Sequence, residues 1–263
     1  DAVVKTVQLA AGRNELNAVV EGPDGHIYVS YGHHIERILL PDMRVELYAG
    51  RETAGSVTGH RLQCAFQDTY GLCWTSSGSL LVVENVGQRV QIIDNDTVST
   101  FAGTGQAGYL DGPRLHAQFR NPSEIVELEG VYYLTDYSNS RVRMILPNGQ
   151  VTTVGNGDEA TLDGAFGLCS INHPWGICVG PRHTILVAEY QGHCIRQIHP
   201  DTGLVTTYAG GPTSGYQDGE EPRFNGPIGM ALGPSGELYV ADRHNRRIRM
   251  IEANGVVSTV LGA

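Results

Sequence analysis

Carboxylates recur at the ends of short apolar runs, and they are the first residues that suggest chemistry. A basic residue follows three of them five positions later. The acids are Glu84, Asp136, Glu189 and Asp242, and the arginines are Arg89, Arg141 and Arg247. A row of carboxylates could bind a cation, but an acid at a strand end more often accepts hydrogen bonds from the next turn and pairs with an arginine. We therefore predict a structural role for all four acids.

Four of the five cysteines form two pairs with the same spacing, Cys64 with Cys73 and Cys169 with Cys178. Both pairs hold the same places in an internal repeat, which favours two disulfides and an oxidising compartment. Buried free thiols are the alternative, and a zinc site is less favoured because neither pair has a second pair nearby in sequence. We expect Cys194 to be a buried thiol.

Asn95 begins an Asn-Asp-Thr triplet in a turn between two apolar runs. Such a triplet accepts N-linked glycans in secreted proteins. Together with the cysteine pairs, it predicts a glycosylated protein that is extracellular or at the cell surface.

Catalytic signatures are missing from the sequence. The ten histidines lack the i, i+4 spacing of helical metalloenzyme motifs, and the chain has no P-loop, no G-x-S-x-G and no S-x-x-K. We assign no catalytic residue, metal ligand or cofactor. Ligands gathered from separate repeats around an axis remain an alternative.

Charge and hydropathy exclude other classes of partner. The net charge is −10 and the one lysine is Lys5, which argues against nucleic-acid binding. No run of 18 apolar residues occurs, so we expect membrane attachment only through segments outside these residues. The chain begins at Asp1 without a signal sequence, which suggests a mature or excised piece.

An internal repeat must position the residues named above. Five copies of a pattern of four short apolar runs are aligned by one position in each, at Asn17, Gly71, Glu124, Gly176 and Gly229, which are 54, 53, 52 and 53 residues apart. Repeats of this length made of four strands are typical of a β-propeller. We predict an all-β, single-domain propeller over 1–263, with blades at about 16–50, 70–103, 122–155, 174–210 and 227–262.

One extra fourth strand, Val3 to Gly12, precedes the first blade, and we expect it to lie against the last blade and fasten the ring. The connections before later blades carry an Asp-Gly turn at Asp111, Asp163 and Asp218, followed by Phe119, Phe166 and Phe224. We expect each Phe to plug the space between blades. The long connections should lie beside the turns between second and third strands, on one loop face.

The element acid-x-x-N-x-R-[IV], at Asp136 to Val142 and Asp242 to Ile248, resembles the NHL repeat, as does the P-x-G-[IM] start at Pro174 and Pro227. The resemblance covers all five copies and implies a propeller. Members of that family usually have six blades, so either the ring closes with five or one blade is incomplete. The divergent copies look like those of kinetoplastid flagellum-attachment surface glycoproteins, which would imply a cell-surface adhesion role.

The loop face is where the copies differ most, and we expect function there. Tyr and Arg are frequent anchors of protein interfaces. The predicted partner-binding residues are Tyr137, Tyr190, Arg243, His244, Tyr109 and Tyr216. We predict a non-enzymatic module that binds another protein. The alternative is a metal-dependent propeller enzyme that resembles amidating lyases or calcium lactonases.

Overall fold

The structure is a computed structural model, and it describes residues 16–262. Their strands form five antiparallel sheets, the blades. Blade 1 consists of β1 to β4, at Ala18–Glu21, Ile27–Tyr31, His34–Leu39 and Arg44–Gly50. Blade 2 consists of β5 to β9, at Gly59–His60, Thr69–Trp74, Leu80–Glu84, Arg89–Asp94 and Thr97–Ala102.

The remaining three sheets follow the same plan. Blade 3 consists of β10 to β14, at Gly112–Pro113, Pro122–Leu128, Val131–Asp136, Arg141–Ile145 and Gln150–Val154, with a 3₁₀ turn at Tyr137–Asn139. Blade 4 consists of β15 to β19, at Gly164–Ala165, Pro174–Gly180, Thr184–Glu189, Cys194–His199 and Leu204–Gly210. Blade 5 consists of β20 to β23, at Pro227–Leu232, Leu238–Asp242, Arg247–Ile251 and Val257–Leu261.

Each blade is a meander of four strands in sequence order, which confirms the predicted all-β propeller of five blades. In blades 2, 3 and 4 the incoming connection adds a two-residue strand outside the fourth strand. Successive side chains of a strand point to opposite faces, so each blade presents two apolar faces. Four buried apolar clusters lie between blades 1 and 2, 2 and 3, 3 and 4, and 4 and 5.

An aromatic residue from the incoming connection fills three of these clusters. Phe66, Phe119 and Phe224 are fully buried there. The prediction for Phe166 is wrong: that ring is only partly buried, and Ile171 takes the plug position before blade 4. The reason is register, because Ile171 is 52 residues after Phe119 and 53 before Phe224, whereas Phe166 falls five residues early.

Buried ion clusters hold the connections onto blades 3, 4 and 5. Arg143 donates to Asp136 at 2.8 Å and to Asp111 of the connection at 2.6 Å. The same arrangement joins Arg196 to Glu189 and Asp163, and Arg249 to Asp242 and Asp218. The recurring acids are therefore structural, but the predicted arginine partner was wrong in blades 3 and 5, where the arginine lies seven residues after the acid and not five. Blade 4, for which no partner was predicted, has the same seven-residue spacing.

The two predicted disulfides are not formed, since each of the five cysteines is a free thiol. Cys64 belongs to the cluster between blades 1 and 2, whereas Cys73 packs against the cluster between blades 2 and 3. Cys169 and Cys178 are separated in the same way by blade 4. The spacing repeats because both pairs flank the same kind of sheet, on opposite faces.

Two other expectations concern peripheral positions. The predicted strand Val3 to Gly12 lies outside the described residues. Asn95 is exposed in the turn between β8 and β9, and its glycosylation stays a prediction. Within residues 16–262, no helix has the length and apolar character needed to cross a membrane.

Candidate functional site at the axial end of the propeller

One end of the propeller gathers the turns after every second strand, and we call it the upper face. The first strand of each blade begins there, because its first residue pairs with the last residue of the second strand, as Pro122 does with Asp136 and Pro174 with Glu189. The incoming connections lie beside these turns, as predicted: the Ser138 amide donates to Arg120 O at 3.0 Å. The upper face is therefore built from turns and connections together.

A group of rings from blades 2, 3, 4 and 5 meets on the upper face. We call it the aromatic patch, and it consists of Tyr70, Tyr137, His173, Trp175, Tyr190 and His244. Trp175 is its centre, with ring centroids 5.8 Å from Tyr70, 5.2 Å from Tyr137 and 5.7 Å from Tyr190. The Tyr137 contact is edge-to-face and the other two are tilted, and contacts at these separations hold the rings relative to one another.

Polar atoms line the side of the patch next to blade 5. The Tyr190 hydroxyl and His244 Nε2 are hydrogen-bonded at 2.8 Å, and the Arg243 guanidinium lies 6.0 Å from the Tyr190 ring. Arg243 and His244 are exposed, whereas the rings of Tyr137, Trp175 and Tyr190 are partly buried. The patch thus combines ring faces with donors and acceptors that water can reach.

An axial cavity of about 400 Å³ is lined by the first strands of all five blades. Its lining is largely apolar, from Ala18, Leu72, Ile125, Ile177 and Met230, and Glu124 contributes a carboxyl group. Burial raises the pKa of Glu124 to about 7, and the hydrogen bond that its Oε2 accepts from the Ile177 amide at 3.1 Å opposes that rise only in part. Near neutral pH this carboxyl can hold or release a proton.

The patch and the cavity are joined through one hydroxyl. Thr135 Oγ1 accepts from the Glu124 amide at 2.9 Å and donates to the Trp175 carbonyl at 2.8 Å. This fully buried threonine fixes the first strands of blades 3 and 4 side by side. Trp175 and Glu124 are consequently held in a constant relative position.

The part of the chain that the structure describes contains no preformed metal-binding site. Among residues 16–262, no three His, Cys, Asp or Glu side chains lie close enough together to hold an ion. The chemistry available at the axis is ring stacking, hydrogen bonding and proton transfer at Glu124.

The six predicted partner-binding residues divide into two groups. Tyr137, Tyr190, Arg243 and His244 lie in or beside the aromatic patch. Tyr109 and Tyr216 instead stack over Arg141 and Arg247, each 4.0 Å from ring to guanidinium. Tyr216 also bonds Thr259 on the outer strand of blade 5 at 3.1 Å, so this pair lies away from the axis.

Sequence reasoning missed Tyr70, His173, Trp175 and Glu124. Tyr70 and Trp175 hold the same repeat position, where blades 3 and 5 have Ser123 and Ile228. Glu124 stands where blades 2, 4 and 5 have glycine. Comparing the copies position by position for departures at the first strand, and not only in the loops, would have found three of the four.

Comparisons with known proteins agree with this architecture. Residues 224–249 match the NHL repeat family. The chain is 26% identical to the chloroplastic protein SUPPRESSOR OF QUENCHING 1 of Arabidopsis thaliana over 84% of this chain and 23% of that protein. It is 29% identical to NHL repeat-containing protein 2 of Bos taurus over 59% of this chain and 24% of that protein.

The chain thus spans about a quarter of the length of these curated relatives. A crystal structure of virginiamycin B lyase from Staphylococcus aureus with quinupristin superposes with a TM-score of 0.63 at 16% identity, covering 96% of this chain and 71% of that one. At that identity the likeness concerns the fold. Residues 224–249, at the start of the fifth blade, match an NHL repeat, and the chain as a whole forms a five-bladed β-propeller.

Proposed function

We propose that this protein is a recognition module that binds a segment of another protein on the aromatic patch. One observation carries the proposal: rings from four blades converge at one axial end around Trp175. Interface hot spots are enriched in Trp, Tyr and Arg. Here Trp175, Tyr137 and Tyr190 lie together, with Arg243 and His244 at their edge.

The patch has little conformational freedom to lose on binding. Each central ring touches at least one other ring, and the Thr135 bond fixes the backbone beneath Trp175. A rigid aromatic surface binds with a smaller entropy penalty than a mobile one. A net charge of −10 favours a protein over a nucleic acid as its partner.

The location of that partner is a separate proposal. We propose a cell-surface or extracellular partner. The cysteines no longer support this location, because they are free thiols, and the sequence support that remains is the Asn95 triplet. Secreted protein carrying a glycan on Asn95 would support it. Finding the native protein unglycosylated, in a compartment that has no glycosyltransferases, would contradict it.

A photocrosslinking experiment tests the binding site. A photoreactive residue replaces Tyr190 in the patch or, as the matched control, Ser235 in an exposed turn at the opposite end. We expect one predominant protein to crosslink from position 190 and not from 235. Trp175→Ala should reduce that product at least about tenfold, which corresponds to a loss of about 1.4 kcal/mol of binding free energy. Equal products at both positions would overturn the proposal.

A second candidate function rests on Glu124. A carboxyl with a pKa of about 7 in an axial cavity is suited to act as a general acid or base. The virginiamycin B lyase likeness supplies a substrate to try. Cleavage of quinupristin by the purified protein, lost in Glu124→Gln, would favour this candidate over recognition alone.

A further inference from the structure

The outer strands of blades 1 and 2 each end in the same contact between an aromatic ring and an arginine. The ring belongs to the residue before the final Ala-Gly pair, Tyr48 in β4 and Phe101 before the end of β9. Arg61 and Arg114, from the connections that follow, lie 4.9 and 4.8 Å from these ring centroids. Each arginine also donates through Nη1 to the carbonyl oxygen of the same aromatic residue. Both outer strands are thus closed by a guanidinium that stacks on a ring and donates a hydrogen bond.

The main chain of each arginine is bonded on both sides. In the connection before blade 3, the Gly103 amide donates to Arg114 O at 2.7 Å, and the Arg114 amide donates to Gly149 O at 2.8 Å. Arg61 makes the same two kinds of bond in the connection before blade 2. The guanidinium is therefore presented by a polypeptide segment whose backbone is held at the blade edge.

Blade 4 has the ring of this arrangement but not the arginine. Its outer strand ends in the same way, with Tyr208 before an Ala-Gly pair. Arg114 lies 11 residues after Gly103, and the residue 11 positions after Gly210 is Glu221. Within residues 16–262, no arginine stacks on the Tyr208 ring, and Glu221 forms no main-chain hydrogen bond with Gly210. The partner that closes this ring in two other blades is a carboxylate here.

Blade 3 shows that the two positions vary together. Its outer strand has Thr153 at the aromatic position, two residues before Gly155, and its connection has Phe166 at the arginine position, 11 residues after Gly155. Blade 3 therefore has neither the ring on the strand nor the arginine that covers it. Tyr208 is the one aromatic residue at this position, among residues 16–262, that lacks an arginine of its own.

A cavity of about 480 Å³ lies beside Tyr208, and Gly210, Glu220, Glu221 and Gly255 also line it. The connection before blade 5 is short at this point. Its plug phenylalanine follows the strand-ending glycine by 14 residues, against 16 in the connections before blades 2 and 3. The short connection leaves open a space of the kind that an arginine fills in the other two connections.

The charges that line the cavity favour a cation. Glu220 and Glu221 contribute two exposed carboxylates, against the single guanidinium of Arg223. A guanidinium has a planar face that stacks on a ring and a fork of donors for carbonyl and carboxylate oxygens, whereas an ammonium has no such face. The ring, the carbonyl of the same residue and the carboxylates are together suited to an arginine side chain.

We propose that this cavity, the rim site of blade 4, binds an arginine side chain of a partner polypeptide. The guanidinium stacks on Tyr208 and donates to its carbonyl oxygen, as Arg61 and Arg114 do within their own blades. None of the residues that line the rim site belongs to the aromatic patch, so this is a second binding site with its own ligand chemistry.

The main chain around the site favours a polypeptide over a free small molecule. Gly210 and Gly255 hold the places of Gly103 and Gly149, which bond the backbone on either side of Arg114. Both glycines line the cavity. An arginine that carries peptide groups on each side can therefore repeat the two main-chain bonds as well as the stacking.

An NMR titration of the 1–263 chain with acetyl-Gly-Arg-Gly-amide tests the proposal. We expect saturable shifts at the Tyr208 and Gly210 amides with a Kd on the order of 1 mM, as suits one side chain and its two peptide groups. The matched peptides with lysine or with neutral citrulline should bind at least about threefold more weakly. Free arginine should also bind at least about threefold more weakly, because it has no flanking peptide groups.

Substitutions at the ring separate stacking from structural damage. Tyr208→Phe should keep the affinity, because Phe101 holds Arg114 without a hydroxyl group. Tyr208→Leu should lower it at least about threefold. Phe101→Leu is the matched control and should leave the affinity unchanged, since that ring already carries an arginine. Glu221→Arg supplies a guanidinium from the chain itself and should block the peptide.

Three results would overturn the proposal. Equal binding of the arginine and citrulline peptides would show that no guanidinium is recognised. Unchanged binding by a folded Tyr208→Leu protein would show that the ring is not part of the site. Binding that appears only in Arg223→Ala would show that Arg223 fills the cavity itself. Tighter binding of free arginine than of the tripeptide would overturn the assignment to a polypeptide.

Discussion

Gln91 donates a hydrogen bond of 3.1 Å to Glu84 at the place where blades 3, 4 and 5 bury an arginine against a carboxylate. The equivalent arginine of blade 3 is Arg143, whose side chain is fully buried, as is that of Asp136. Blade 2 therefore holds its carboxylate with an amide and with Arg89, whose Nε lies 3.1 Å from Glu84. The two blades should differ in how much stability they lose when the central partner is removed.

Arg143→Met should lower the free energy of unfolding by about 3 to 5 kcal/mol, because Asp136 is left buried without its cation. Gln91→Met should lower it by about 1 to 2 kcal/mol, because Glu84 keeps Arg89. Guanidinium denaturation measures both, with Arg44→Ala as the control for an exposed arginine, expected to cost less than about 1 kcal/mol. Equal losses for the two methionine variants would contradict the ion-cluster account.

The same variant should show a pH dependence. Burial already raises the pKa of Asp136, and removal of Arg143 takes away the charge that opposes the rise. A raised carboxyl pKa destabilises the fold above that pKa, and the penalty disappears as the pH falls through it. The deficit of Arg143→Met relative to wild type should therefore shrink as the pH is lowered.

Glu124→Gln should stabilise the protein at high pH. The folded pKa of about 7 lies above the ordinary value of 4.5, so ionised Glu124 destabilises the native state above pH 7 and ceases to do so as the pH falls. Glutamine can still accept from the Ile177 amide. We expect a gain of about 2 to 3 kcal/mol at pH 8 and less than about 1 kcal/mol at pH 5. A gain independent of pH would show that Glu124 titrates normally.

The cysteines should be inert in the native state. Burial raises the pKa of Cys64 and Cys73 to about 11 and that of Cys178 to about 12, which leaves little thiolate at neutral pH. A thiol reagent at pH 7.5 should label no cysteine of the folded protein within minutes and all five after denaturation. Intact mass before and after reduction should agree. A gain of two or four mass units on reduction would show disulfides.

Phe119→Ala should destabilise the protein by about 3 to 5 kcal/mol, because it empties the cluster between blades 2 and 3. Phe166→Ala should cost less than about 2 kcal/mol, because that ring is only partly buried and the plug before blade 4 is Ile171. Thermal melts of both variants, with Ile171→Ala as the comparison, would reveal which side chain fills the space.

The repeat could be predicted from the sequence because the even spacing of equivalent residues is enough to define it. The even spacing of Asn17, Gly71, Glu124, Gly176 and Gly229 predicts five sheets without any knowledge of contacts, and the sheets form there. Prediction of the plug residue required the repeat register as well as the residue type. Phe166 is aromatic, but it lies five residues before the plug position. Periodicity shows which repeat position a residue occupies. It does not show on which of the two faces of the sheet its side chain lies.

Because periodicity does not assign a side chain to a face of the sheet, the disulfide prediction was wrong and part of the aromatic patch was missed. Cys64 and Cys73 recur at matched places, yet a sheet separates them. Tyr70 and Trp175 are 105 residues apart in sequence, and their rings meet because the first strands of blades 2 and 4 begin at the same end of the propeller. That contact between different blades is tertiary, and no local sequence pattern encodes it.

The turns of the upper face are joined to the neighbouring connections by main-chain hydrogen bonds. The Tyr190 amide donates to His173 O at 3.1 Å, and the Asn85 amide donates to Asp68 O at 3.0 Å. Bonds between backbone atoms do not depend on which side chain stands at the position. The face can therefore be diversified like the loops of an antibody, one blade at a time, and a combinatorial library at positions 137, 190, 243 and 244 should yield new binders on an unaltered scaffold.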